Sequence, residues 1–131
     1  MKRLLVITVV ILTAILVCSA AVSPSKSEYH NLKVLPKDIS SKALSKIMVD
    51  EFSDALGVGC NFCHATVKST GQLDYASDAK PEKEMARMMM RMTLRINKQT
   101  FKIKHPKLED ALTVTCNTCH NGQPHPDAGG K

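Results

Sequence analysis

Two short stretches hold the residue types most able to do chemistry: Cys60-Asn61-Phe62-Cys63-His64 and Cys116-Asn117-Thr118-Cys119-His120. Two thiols three positions apart can reach one ligand from a single tight turn, and the imidazole that follows then lies beneath its centre. That spacing suits covalent attachment of haem through two thioethers, with His64 and His120 as axial iron ligands. With 5 cysteines and 5 histidines in 131 residues, chance supplies only about 0.007 copies of the pattern per chain. The motifs consume Cys60, Cys63, Cys116 and Cys119, which leaves Cys18 alone. Paired Cys-x-x-Cys can also make a Cys₄ zinc site or a thiol redox centre. The export signal described below argues against a structural zinc module.

A six-coordinate iron needs a second ligand opposite each histidine, and methionine is the choice that raises the potential of an electron carrier. Met48 stands in an apolar pattern just ahead of the first motif. Met85, Met88, Met89, Met90 and Met92 crowd the stretch ahead of the second. A methionine stripe at helical spacing is ordinarily packing, so most of these fill a core and only one can ligate each iron. His30, His105 and His125 read as surface residues, with His105 or His125 as alternative distal ligands.

The elements that must position these groups are helical. One helix starts at a Ser40 cap, repeats Leu44, Ile47, Met48, Phe52, Ala55 and Leu56 along one face, and stops at Gly57. Thr66 to Ser77 reads as a loop. Ser77 or Asp78 caps a second helix, with Pro81 in its first turn, running to about Phe101. Met85, Met88, Met89, Met92, Ile96 and Phe101 share one side of it, and Arg87, Arg91, Arg95 and Lys98 lie elsewhere. Leu112 to Thr115 is short and extended, and the second motif follows. The expected fold is a small all-α, multihaem domain over 32–126, built from two helix–turn–Cys-x-x-Cys-His units with little or no sheet. Residues 22–31 read as a linker and 127–131 as a flexible tail.

Lys2 and Arg3, the apolar run Leu4 to Val17 and the small residues Cys18 to Ala21 have the anatomy of a secretory signal. The run is shorter than the ~20 residues that cross a bilayer as a helix. A cleaved signal over 1–21 and a periplasmic location are therefore expected. An uncleaved anchor and a lipid on Cys18 are the alternatives.

Losing Lys2 and Arg3 with the signal lowers the formal charge from +6 to about +4, which four haem propionates would offset. The basic balance therefore does not indicate nucleic acid, and no aromatics interleave with the cations as strand stacking requires. No Trp, two Tyr and three Phe make a thin core, which two macrocycles would fill. The basic run Arg95, Lys98, Lys102, Lys104 and Lys107 is a solvated helix end, a set of propionate partners, or a surface that steers an acidic redox partner.

From Asn31 to about Pro126 the chain resembles the photosynthetic reaction-centre cytochrome c subunit family. The resemblance rests on Asn31-Leu32-Lys33-Val34-Leu35, Ile47-Met48, the stretch Ala86 to Asn97, and Val114 to Gly122. It implies two covalent haem c groups whose distal methionines come from the helix before each motif. By position these are Met48 for the first iron and Met89 for the second, with Met85 and Met92 one turn away. The family carries four haems in two such pairs, and this chain has one pair. The implied activity is single-electron transfer between redox partner proteins, membrane-associated complexes among them, with no small-molecule substrate. A dihaem peroxidase, which needs an open iron position, and a redox sensor are the alternatives.

Overall fold

The computed structural model describes residues 29–126. The predicted signal, Cys18, most of the predicted linker and the tail 127–131 lie outside the described residues.

The first helix begins and ends where the sequence places it. The Ser40 hydroxyl accepts from the Ala43 N–H at 3.2 Å, satisfying one orphan donor of the first turn. Helix α1 spans Ser41–Lys46. It then widens into a π-helical segment, Ile47–Asp54. The wide register persists to its end, where the Val58 N–H donates to the Ser53 carbonyl at 3.1 Å, and Gly57 closes the element at φ +65°. Such segments are rare and concentrate at functional sites. Ile47 and Ala55 are buried, while Leu44, Met48 and Phe52 are half-buried.

Helix α2 spans Pro81–Gln99, with Lys80 as an N-cap that makes no side-chain bond. Neither Ser77 nor Asp78 caps it. Pro81 sets the start beyond their reach, and both have other bonds. The Ser77 hydroxyl accepts from the Ala79 N–H at 3.2 Å, and Asp78 pairs with Lys33 at 2.7 Å and Arg87 at 2.8 Å.

The buried face of α2 is Arg87, Met90, Thr93 and Asn97. This corrects the expectation that the methionine stripe is mainly packing. Met85, Met88, Met89, Met92 and Phe101 are exposed, and Met90 at 4 % is the buried methionine. The polar partners of Arg87 and Asn97 lie on the inner side and decide which face turns inward.

Between the helices, Ala65–Thr66 (β1) and Leu73–Asp74 (β2) form a two-stranded antiparallel ladder with Ala65 opposite Asp74. The domain is thus mostly helical with a minimal sheet inside the predicted loop, rather than strictly all-α. Buried Ile39, Ile47, Met90 and Leu108 form the core cluster, with Leu32, Val34, Phe52, Leu94 and Leu112 packed around it. Helix α3 is the second motif itself, Cys116–His120. It docks on the π segment: the Cys116 N–H donates to Glu51 Oε2 at 3.2 Å, and the Gly122 N–H donates to the Ala55 carbonyl at 2.8 Å. Among the described residues no helix is long and apolar enough to cross a membrane.

Candidate haem sites

The first motif opens as a 3₁₀ turn, Cys60–Phe62, and the His64 N–H donates back to the Cys60 carbonyl at 3.0 Å. That turn puts both thiols and His64 on the wall of one cavity of about 500 Å³. Met48 lines the same cavity from the π segment, together with Leu44 and Phe52. Met90 lines it from α2, and Leu32, Val34 and Leu35 line it from the N-terminal segment. Cleft size and apolar walls suit a planar cofactor, and the two thiols and the imidazole suit covalent haem.

Several groups orient this wall. The His64 ring meets the Tyr75 ring edge-on, with centroids 5.0 Å apart, and its Nδ1 is buried without a hydrogen-bond partner. Burial, then the nearby Lys83 charge, hold its pKa below the usual histidine value. Burial, then Glu82, push the Cys63 thiol up. Lys83 donates to the carbonyls of Tyr75 and Ser77, each at 2.7 Å. Buried Arg87 lines the cavity and donates to Glu84 at 2.9 Å and to the Asn31 carbonyl at 3.2 Å. These contacts tie the strap Asn31–Leu35 to α2 across the cavity.

The second motif is also ready for its chemistry. His120 Nδ1 lies 2.9 Å from the Gln123 carbonyl. A carbonyl only accepts, so Nδ1 is the donor in this contact, which leaves Nε2 as the ring nitrogen that could face a metal. Cys116 is buried and Cys119 exposed. Burial, then Glu51, push the Cys116 thiol up to about 12. Met89, the methionine expected to serve this motif, sits exposed on the outer face of α2 with Met85, Met88 and Met92. The structure does not gather three or more His, Cys, Asp or Glu side chains into a bare-metal site among the described residues, so the two cysteine pairs are not joined as a Cys₄ centre. His30 lines the first cavity, while His105 and His125 are exposed.

Asn97 and Arg87 carry weight that the sequence did not reveal. Asn97 is completely buried. Its amide donates to the Thr93 and Val114 carbonyls at 2.9 and 2.7 Å and accepts from the Thr113 and Val114 N–H groups at 3.0 and 3.1 Å. It therefore fixes the segment that leads into Cys116. A lone Asn in a helical pattern gives no such signal. Arg87 read only as one of four cations lying off the methionine side of the helix.

Two Cys-x-x-Cys-His turns, one beside an apolar cavity, define a c-type cytochrome. The profile of the family described as photosynthetic reaction centre cytochrome C subunit matches residues 7–129, and the chain belongs to that family. Membership carries covalently bound haem c as the cofactor. Cytochrome c-554 of Chloroflexus aurantiacus is 36% identical over 87 residues, covering 66% of this chain and 19% of that protein. The photosynthetic reaction center cytochrome c subunit of Rubrivivax gelatinosus is 33% identical over 94 residues, covering 65% of this chain and 22% of that protein. The chain thus spans about a fifth of the length of the curated relatives it matches.

Proposed function

We propose that the protein is a periplasmic dihaem c-type cytochrome that passes single electrons between redox partner proteins. The observation that carries this reading is the convergence of Cys60, Cys63, His64 and Met48 on one apolar cavity. The thiols of Cys60 and Cys63 would hold one haem, with His64 and Met48 available to ligate its iron. The thiols of Cys116 and Cys119 would hold the other, with His120 and Met89 available to ligate it. Haem c supplies one-electron ferrous–ferric cycling, and the protein sets its potential, orientation and access. Tyr75 and the Gln123 carbonyl hold the two imidazoles in orientation. Met48, Leu44, Phe52 and Met90 keep water from the first site. The partners are redox proteins, membrane-associated electron-transfer complexes among them, and a role at a photosynthetic reaction centre belongs to this proposal.

Two measurements test it. Intact mass of exported protein reports haem count, loss of residues 1–21 and any lipid on Cys18. The near-infrared spectrum of the ferric protein should show the sulfur-to-iron charge-transfer band of Met/His ligation. A high-spin iron that binds peroxide would overturn the carrier reading in favour of a dihaem peroxidase.

A further inference from the structure

Helix α2 presents three faces. The inner face holds Arg87, Met90 and Asn97, and the outer face holds Met85, Met89 and Met92. Arg91, Arg95 and Lys98 form a third, basic stripe between them, spaced by four and three residues. Arg91 reaches Glu84 at 3.5 Å. Beyond it the cations stand alone. Arg95, Lys98, Lys102 and Lys104 are all exposed, and none takes part in an ion pair among the described residues.

Most of the other described cations are spoken for. Lys33, Lys83, Arg87 and Lys107 pair with carboxylates, and Lys46 and Lys80 donate to carbonyls. The described cations without such partners outside this stretch are Lys37, Lys42 and Lys68, which are scattered. The four here fall within ten residues. Their placement is fixed: Lys102 is held left-handed at φ 58°, and the next N–H, that of Ile103, donates to the Asn97 carbonyl at 3.2 Å. Asn97 also anchors Thr113 and Val114, so this basic end adjoins the segment leading to Cys116.

We infer that Arg95, Lys98, Lys102 and Lys104 form the docking surface for a redox partner whose own contact surface is acidic, and that electrons enter or leave through the second attachment site. The inference rests on the dihaem reading and names its partner class. A fixed cluster of uncompensated charge beside a redox centre raises the encounter rate with an oppositely charged partner, and salt removes that gain. Cations meant only for solubility need not be concentrated at one end.

The test uses the holoprotein and a reduced plant-type ferredoxin, an acidic one-electron protein, in stopped-flow mixing. The rate should fall more than tenfold from low to moderate salt. The variant K98E/K102E/K104E should lose at least tenfold at low salt, with both midpoint potentials and both haem spectra unchanged. The control K37E/K42E/K68E, equal in charge change, should lose less than threefold. Equal losses in the two variants would overturn the inference and leave only net charge. A shifted potential of one haem with an unchanged salt dependence would overturn it in favour of propionate pairing. If reversal abolishes binding to phosphatidylglycerol vesicles but leaves the ferredoxin rate intact, the surface meets anionic lipid instead, and the inference also fails. High-spin, peroxide-binding iron would defeat the carrier reading, whatever the salt dependence.

Discussion

Replacing Asn97 by alanine tests the claim that one buried amide holds the second attachment motif in place. The substitution removes four hydrogen bonds, to Thr93, Thr113 and twice to Val114. At about 1 kcal/mol net for each, the loss is about 4 kcal/mol. The Thr93 carbonyl keeps its helical bond, which lowers the figure; the Thr113 and Val114 groups are left without a partner, which raises it. A domain of this size holds only about 5–15 kcal/mol in total, so N97A gives up a large share. With a urea slope of about 2 kcal/mol per M, the unfolding midpoint of the haem-bearing protein should drop by about 2 M. Hydrogen exchange supplies a local readout, because the Thr113 and Val114 N–H groups both donate to the Asn97 oxygen. Their protection should collapse while mid-helix amides of α2 remain slow. Q99A, at an exposed neighbour on the same helix, should change neither. A midpoint shift below about 0.5 M at unchanged slope, or retained protection at Thr113 and Val114, would refute the reasoning.

Four other outcomes follow from the same geometry. Gly57 sits at φ +65°, and an added Cβ there would collide with the Gly122 carbonyl oxygen; G57A should cost about 2–3 kcal/mol in urea unfolding, and a neutral result would refute that close approach. The Asp78 carboxyl is held well below its usual range, by Lys33 first, then Asn31, with Arg87 adding to them. Its stabilisation is therefore complete above the unfolded value of about 4 and is lost as pH falls through that value toward the folded one. D78N should flatten the acid limb of a thermal-stability profile, and coincident limbs for both proteins would exclude the effect. M48L should remove the near-infrared sulfur band of one haem and lower its potential, leaving the other haem unchanged; a full-strength band would exclude Met48 as a ligand. Protein with all four motif cysteines changed to alanine should lack a cooperative far-UV CD transition, because Ile39, Ile47, Met90 and Leu108 alone form a small core.

Legibility in the sequence followed how local the cause was. The Ser40 cap, the Gly57 stop and Pro81 at the start of α2 act within a few residues, and their patterns could be read directly. The motifs were legible because their chemistry needs contiguous residues. Asp78 was misread as a cap because its partners, Lys33 and Arg87, come from distant parts of the chain. The π segment was invisible because 3.6-residue periodicity assigns Met48 and Phe52 to one face whether or not the turn widens. Asn97 and Arg87 were missed for a related reason. Burial of a polar side chain depends on partners that only the tertiary fold supplies.

The same point changes how the repeat is understood. In sequence there are two equivalent units, each a methionine-bearing stretch followed by an attachment motif. In the structure the two methionine-bearing stretches are not equivalent, as α2 shows. Its Met90 faces the first cavity, while the adjacent Met89 points outward, since neighbouring residues on a helix lie about 100° apart. The two sites also share the contacts from Glu51 to Cys116 and from Ala55 to Gly122. A haem ligated by Met89 would then be separated from the first cavity by roughly one helix diameter, about 10 Å. If Met89 ligates the second iron, as proposed, the exposed Met85, Met88 and Met92 would lie beside that haem.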